Sequence, residues 1–201
     1  LDLSGFDTSN VINMQGMFGT CSSLKSLDLR SFDTSKVKNM KGIFCQCLAL
    51  ESINVSSFDT SNVTDMSRMF VKCESIPSLD LNNFDTSKVT DMSGMFEYCE
   101  KLKSLAISGF NTSNVMDMSD MFSHCYALPA LYLSMFDTSN VRNMYRMFYG
   151  SRSLSVLDLS SFDTSSLANM IEMFAECSVL KTICVHEDFP INIKSKDAFD
   201  E

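Results

Sequence analysis

The residues of this chain that have the types for chemistry are its cysteines, histidines and carboxylates, and most of them recur at one fixed step. Cys184 and His186 form the single nucleophile-and-base pair that the sequence offers. Their i, i+2 spacing would put both on the outward face of a strand, where the imidazole could take the thiol proton. Six of the eight cysteines, Cys21, Cys47, Cys73, Cys99, Cys125 and Cys177, are spaced as members of one column, with Ser151 in the remaining place. Cysteines in such numbers could form disulfides or hold zinc. Asp7, Asp33, Asp59, Asp85, Asn111, Asp137 and Asp163 are spaced in the same way, and a carboxylate ladder of that kind could line up calcium ligands.

Each possibility has a simpler alternative. Neighbours in a column project in parallel about one strand spacing apart, whereas a disulfide needs converging Cβ atoms about 3.8 Å apart. The cysteine column is therefore expected to be a buried, reduced thiol ladder. Cys45 and Cys47 make only a C-x-C, too little for a zinc site. Asn111 keeps the hydrogen-bonding geometry of its column with half the chemistry, so the Asp column is expected to cap turns. A second column, Asn13, Asn39, Asp65, Asp91, Asp117, Asn143 and Asn169, exchanges amide and carboxylate freely, which a metal site would not allow. The only other histidine, His124, is too far along the chain to cooperate with His186. No glycine-rich phosphate loop, nucleophile elbow or H-E-x-x-H is present, and the chain is expected not to be an enzyme. No metal or cofactor is expected.

The elements that position these columns follow from the same step. Phe6, Phe32, Phe58, Phe84, Phe110, Phe136 and Phe162 stand 26 residues apart without insertion or deletion, and each copy reads approximately L-x-x-L-D-L-S-x-F-D-T-S-N-V-x-D-M-x-x-M-F-x-x-C-x. A strict period of this length indicates a solenoid. Leu24, Leu27 and Leu29 place two side chains on one face of a short strand, repeated as Leu50, Ile53 and Val55 and onward to Leu180, Ile183 and Val185. Val11, Met14, Met17, Phe18 and Cys21 then fall at intervals of three, three, one and three, which predicts one apolar face of a short helix, with Ser9 at its N-cap. The predicted fold is an α/β solenoid, a right-handed array with a parallel β-sheet on one side and short helices on the other. Eight strand segments are expected, from Leu1–Ser4 to one ending near Val185. Residues 1–186 would form seven repeats of the solenoid, truncated at the N-terminal end because Leu1 lies inside a repeat, and residues 187–201 a C-terminal cap.

Composition narrows the partners. The formal net charge is −9, with the 16 Lys and Arg spread along the chain, so nucleic acid is not an expected partner. No apolar run is long enough to cross a membrane. All five tyrosines, Tyr98, Tyr126, Tyr132, Tyr145 and Tyr149, fall within repeats four to six in columns that otherwise vary or are polar. Tyr and Arg dominate binding hot spots. Tyr145, Arg146, Tyr149 and Arg152 are therefore the candidate binding edge, with Tyr132 a separate anchor on the sheet face.

The segments Leu1-Asp2-Leu3-Ser4-Gly5-Phe6-Asp7-Thr8-Ser9-Asn10-Val11 and Val63-Thr64-Asp65-Met66-Ser67-Arg68-Met69-Phe70 resemble the BspA-like leucine-rich-repeat surface proteins of bacteria and some protists. The resemblance covers nearly the whole chain and implies an extracellular or cell-surface protein that binds a protein or glycan ligand on host or neighbouring cells. It supplies no catalytic residue. The alternative is an intracellular leucine-rich-repeat scaffold or effector, which free thiols would suit better.

Overall fold

The computed structural model describes residues 2–189, so most of the expected cap at 187–201 lies outside the described residues. Each 26-residue step makes one coil of a solenoid, and corresponding residues stack. On one side run six short strands: β1 (Ser26–Asp28), β2 (Ser52–Asn54), β3 (Ser78–Asp80), β4 (Ser104–Ala106), β5 (Val156–Leu159) and β6 (Thr182–Val185). They pair in parallel as β1 with β2, β3 with β4 and β5 with β6, in a register that sets Leu27 beside Ile53 and Leu79 beside Leu105.

Eight strands were expected, but the sheet is interrupted. In the intact steps the residue ahead of the strand donates to its counterpart one coil earlier, as Glu51 N does to Lys25 O, Lys103 N to Pro77 O and Lys181 N to Ser155 O. Pro77 and Pro129 occupy that position in their own coils and have no N–H to give, so the ladder breaks before β3 and after β4. Of the two other expected segments, the one around Tyr132 is not a strand. Leu1 lies outside the described residues, and its neighbours are not a strand either.

The opposite side corrects the helix prediction. Among the described residues there is no helix. The segment that was to be helical is a run of tandem turns, with Met17 N donating to Met14 O, Gly19 N to Gly16 O and Cys21 N to Phe18 O. The third residue of two of these turns has positive φ, +62° at Gly16 and +63° at Thr20, and the pattern recurs at Gly42 and Gln46, Arg68 and Lys72, Gly94 and Tyr98. A left-handed residue every fourth position stops a right-handed helix before it completes a second turn. The backbone is satisfied between coils instead. Met14, Gly16, Phe18 and Thr20 donate to the carbonyls of Asn39, Lys41, Ile43 and Cys45, and the same four bonds link the following coils as far as Gly150 N to Ala175 O. Apolar spacing of three and one fits both a helix face and this turn ladder, which is why periodicity chose wrongly. Four of the seven glycines sit at the left-handed positions, and that signal favoured turns.

Both polar columns act as caps. Asp7 Oδ1 accepts from Ser9 N at 3.0 Å and from its hydroxyl at 2.6 Å, and Asn111 does the same for Ser113. The carboxylate is the acceptor and the serine the donor, the reverse of the expected serine cap. Asn13, Asp65 and Asn169 similarly accept the N–H two residues on, so amide and carboxylate are interchangeable there.

Three columns hold the coils together, and the thiol column is buried from Cys47 to Cys125 but not at its ends, where Cys21 is exposed and Cys177 half-buried. Phe18, Phe44, Phe70, Phe96, Phe122, Phe148 and Phe174 stack ring on ring, with centroids 5.3–5.9 Å apart. Beside them each column thiol from Cys47 onward donates to the phenylalanine carbonyl of the coil before, as Cys99 does to Phe70 O at 3.3 Å, and Ser151 makes the same bond to Phe122 O at 3.0 Å. All the cysteines are free. Burial pushes Cys47 and Cys177 up to about 11 and Cys125 to about 12, so these thiols stay protonated. The third column is threonine. Buried Thr86 donates to Asn111 O at 2.8 Å and accepts from Asn111 N at 2.8 Å, so one hydroxyl satisfies both backbone groups of the next coil.

Candidate functional site on the turn face

The left-handed residues of the turn ladder point outward, so their columns form ridges along the solenoid. One ridge carries Arg68, Asp120, Arg146 and Glu172, and the other Lys72, Tyr98, His124 and Glu176. The sequence-predicted residues converge here. The Arg146 guanidinium lies 5.0 Å from the Tyr145 ring centroid and 4.7 Å from that of Tyr149, and it pairs with Glu172. Tyr149 donates its hydroxyl to Glu176 Oε1 at 2.7 Å, while Arg152 donates to Glu176 Oε2 at 2.7 Å and lies 5.0 Å over the Tyr126 ring. Glu176 thus ties Tyr149 and Arg152 into one unit, and these bonds hold its carboxyl below the usual range.

Three further residues extend the cluster. His124 stacks on Tyr98 with centroids 4.1 Å apart and meets Tyr126 edge-on at 5.5 Å and Tyr149 at 5.1 Å. Burial holds the imidazole below its ordinary pKa, so at neutral pH it behaves as an aromatic surface. The arrangement offers aromatic faces and forked donors, fixed before any ligand arrives.

Tyr132 does not join them. It stands 80% exposed between buried Leu131 and Leu133 on the strand side, with Val156 53% exposed. The reading of the sequence separated it correctly but missed Glu172, Glu176 and His124, because nothing in one repeat says which outward columns adjoin. The expected outward pair, Cys184 and His186, is exposed. His186 Nδ1 faces Asp188 Oδ2 at 3.4 Å. Among the described residues, the one group of ligand-type side chains close enough for a metal is His186, Glu187 and Asp188, all exposed.

Asp120 of the first ridge is half-buried, and the half-buried Glu97 acts on it. Burial, and secondarily the adjacent Glu97, raises Asp120 to about 6 against the opposing pull of Arg146 and Arg68. A carboxyl whose folded pKa is raised destabilises the fold when ionised, so its cost is present at neutral pH and disappears as pH falls below the unfolded value near 3.8. Asp120→Asn should therefore raise stability at pH 7 by about 1 kcal/mol once solvent screening is allowed for. This gain should shrink as the pH falls to 4, as urea unfolding at the two values will show.

The family model described as "Mycoplasma protein of unknown function, DUF285" matches residues 1–103 and 74–186. The chain belongs to this family. The BspA-like leucine-rich-repeat resemblance read from the motif holds as well. A search of the curated proteins found no match. Among solved structures, the DUF285 chain is similar to a leucine-rich-repeat protein of T. pallidum, with 18% identity, a TM-score of 0.37 and coverage of 90% of this chain and 66% of that one. It is also similar to a leucine-rich cell surface protein from Faecalibacterium prausnitzii, with 13% identity, a TM-score of 0.42 and coverage of 92% and 65%. A leucine-rich-repeat protein from Bacteroides ovatus gives 16%, 0.35, 87% and 64%. The DUF285 chain therefore spans less than two thirds of the length of these structures.

Proposed function

We propose that this chain is a non-catalytic protein-binding module of a surface or secreted protein, serving adhesion to host or other cells, and that its partner docks on the edge formed by Tyr145, Arg146, Tyr149 and Arg152. The observation that carries this reading is the fixed aromatic and guanidinium cluster. Glu172 and Glu176 hold both arginines and Tyr149 in place, so binding loses little side-chain entropy. Other coils place Gln, Lys, Ser and Ile in the Tyr145 column and Gly, Cys, Val, Glu, Ser and Ala in the Tyr149 column, so packing does not require Tyr there, while the Arg146 column also holds Arg68 and the Arg152 column Tyr126. Tyr132 provides a second contact on the strand side.

Fluorescently labelled protein should bind cultured epithelial cells saturably, and Tyr149→Ala with Arg152→Ala should weaken that binding at least tenfold, from about 1 kcal/mol or more at each position. Undiminished binding by the double variant would overturn the site, and absence of saturable binding would overturn adhesion. A second reading, an intracellular interaction scaffold, is favoured by the eight unpaired cysteines, since oxidising compartments favour paired ones. Failure of the cell-binding experiment with wild-type protein would support it.

A further inference from the structure

At the other end of the turn face the same columns make a groove of about 420 Å³ in place of a ridge. The first left-handed column carries two consecutive glycines here, Gly16 and Gly42, whereas further along Arg68, Asp120, Arg146 and Glu172 fill it and only Gly94 interrupts them. Gly16 and Gly42 bring no side chain to this stretch, where Cys45 and Val71 line the groove beside them. Lys41, Arg68 and Lys72 line this space, and among the described residues none of them has an ion pair. Lys72 lies 5.5 Å over the Tyr98 ring. Glu97 is the one carboxylate in the lining, half-buried, and burial raises its pKa. Three cations against Glu97 leave a net of +2 in a chain whose formal net charge is −9.

We propose that this groove binds a sulfated polysaccharide. Charge complementarity sets the sign of the ligand. Long-range repulsion from the rest of the chain is screened beyond about 8 Å at physiological salt, so the local cations decide once contact is made. Backbone bonding decides against an acidic peptide. The N–H groups along the groove are already used, with Gly16 donating to Lys41 O, Gly42 to Ser67 O, Thr20 to Cys45 O and Gln46 to Val71 O, so an extended peptide has no ladder to join. The ligand must be recognised by side chains alone. Exposed Gln15 and Gln46 contribute amides, which both donate to and accept from sugar hydroxyls. Because Arg68 and Lys72 remain exposed, binding depends on charge more than on burial, which rewards the high fixed charge of sulfate esters over carboxylates. The groove's lining shares no residue with the Tyr149 edge.

Titration calorimetry with a heparin dodecasaccharide should show saturable binding that weakens as salt is raised. Lys41→Gln, Arg68→Gln and Lys72→Gln together should reduce affinity at least tenfold, while Lys101→Gln with Lys103→Gln should leave it unchanged. Lys72→Glu alone should reduce it about threefold or more, a readout that stands if the triple variant folds poorly. The proposal is overturned if wild-type protein does not bind, if the basic variants bind as wild type does, or if desulfated heparin, polyglutamate or a single-stranded DNA 12-mer binds equally well.

Discussion

Phe96→Ala is expected to lower the unfolding free energy by about 4 kcal/mol, within the range for removing a fully buried phenylalanine. The ring is completely buried and stacks on Phe70 at 5.9 Å and on Phe122 at 5.7 Å. Truncation therefore removes two ring contacts and opens a cavity in the middle of the column. In an array where each coil touches only its neighbours, a gap at the centre weakens the coupling between halves as well as the total stability. Urea unfolding should show a lower midpoint and a broader transition. Phe162→Ala, at the corner of the last complete coil, should keep a single sharp transition because it interrupts fewer interfaces. Equal behaviour of the two variants would argue against a cooperative column.

Thr86→Val should cost about 2–3 kcal/mol although it changes volume very little. The hydroxyl satisfies both the N–H and the C=O of Asn111. Valine leaves both groups without that partner in a part-buried contact, where each lost partner carries a penalty toward the low end of about 1–3 kcal/mol. Thr86→Ser, which keeps the oxygen, should recover most of the loss. If valine and serine at this position unfold at the same urea concentration, the hydroxyl bridge contributes nothing and the column serves packing alone.

Much of this was legible in the sequence. The 26-residue step of Phe6, Phe32 and their successors gives the stacking, and once residues stack, Cys99 and Asp85 can be judged by column rather than singly. Ser151 in the cysteine column fitted a ladder without disulfides, but the bond it makes to Phe122 O was not legible. The turn face was not legible by the same means. Met14, Met17 and Phe18 satisfy a helical period, but the backbone's choice rested on Gly16, Gly42, Gly94 and Gly150, whose left-handed conformation favours turns bonded to the next coil. Thr8, Thr34 and Thr60 repeat without change, a signal for the hydroxyl bridge that hydrophobic periodicity cannot weigh. The grouping of Tyr145, Arg146, Tyr149 and Arg152 was legible, because all four lie within one repeat. Their fixation by Glu172 and Glu176 was not, because those residues belong to the next coil and reach the site only once the register between coils is known.

That register is the centre of the account, and couplings across hydrogen bonds measure it most directly. A long-range HNCO experiment on labelled protein should correlate the amides of Gly94, Phe96 and Tyr98 with the carbonyls of Ser119, Met121 and Ser123, one coil ahead. Correlations of Phe96 with Met92, and of Tyr98 with Gly94, would show a helix on this face. They would contradict both the turn ladder and the outward ridges built on it.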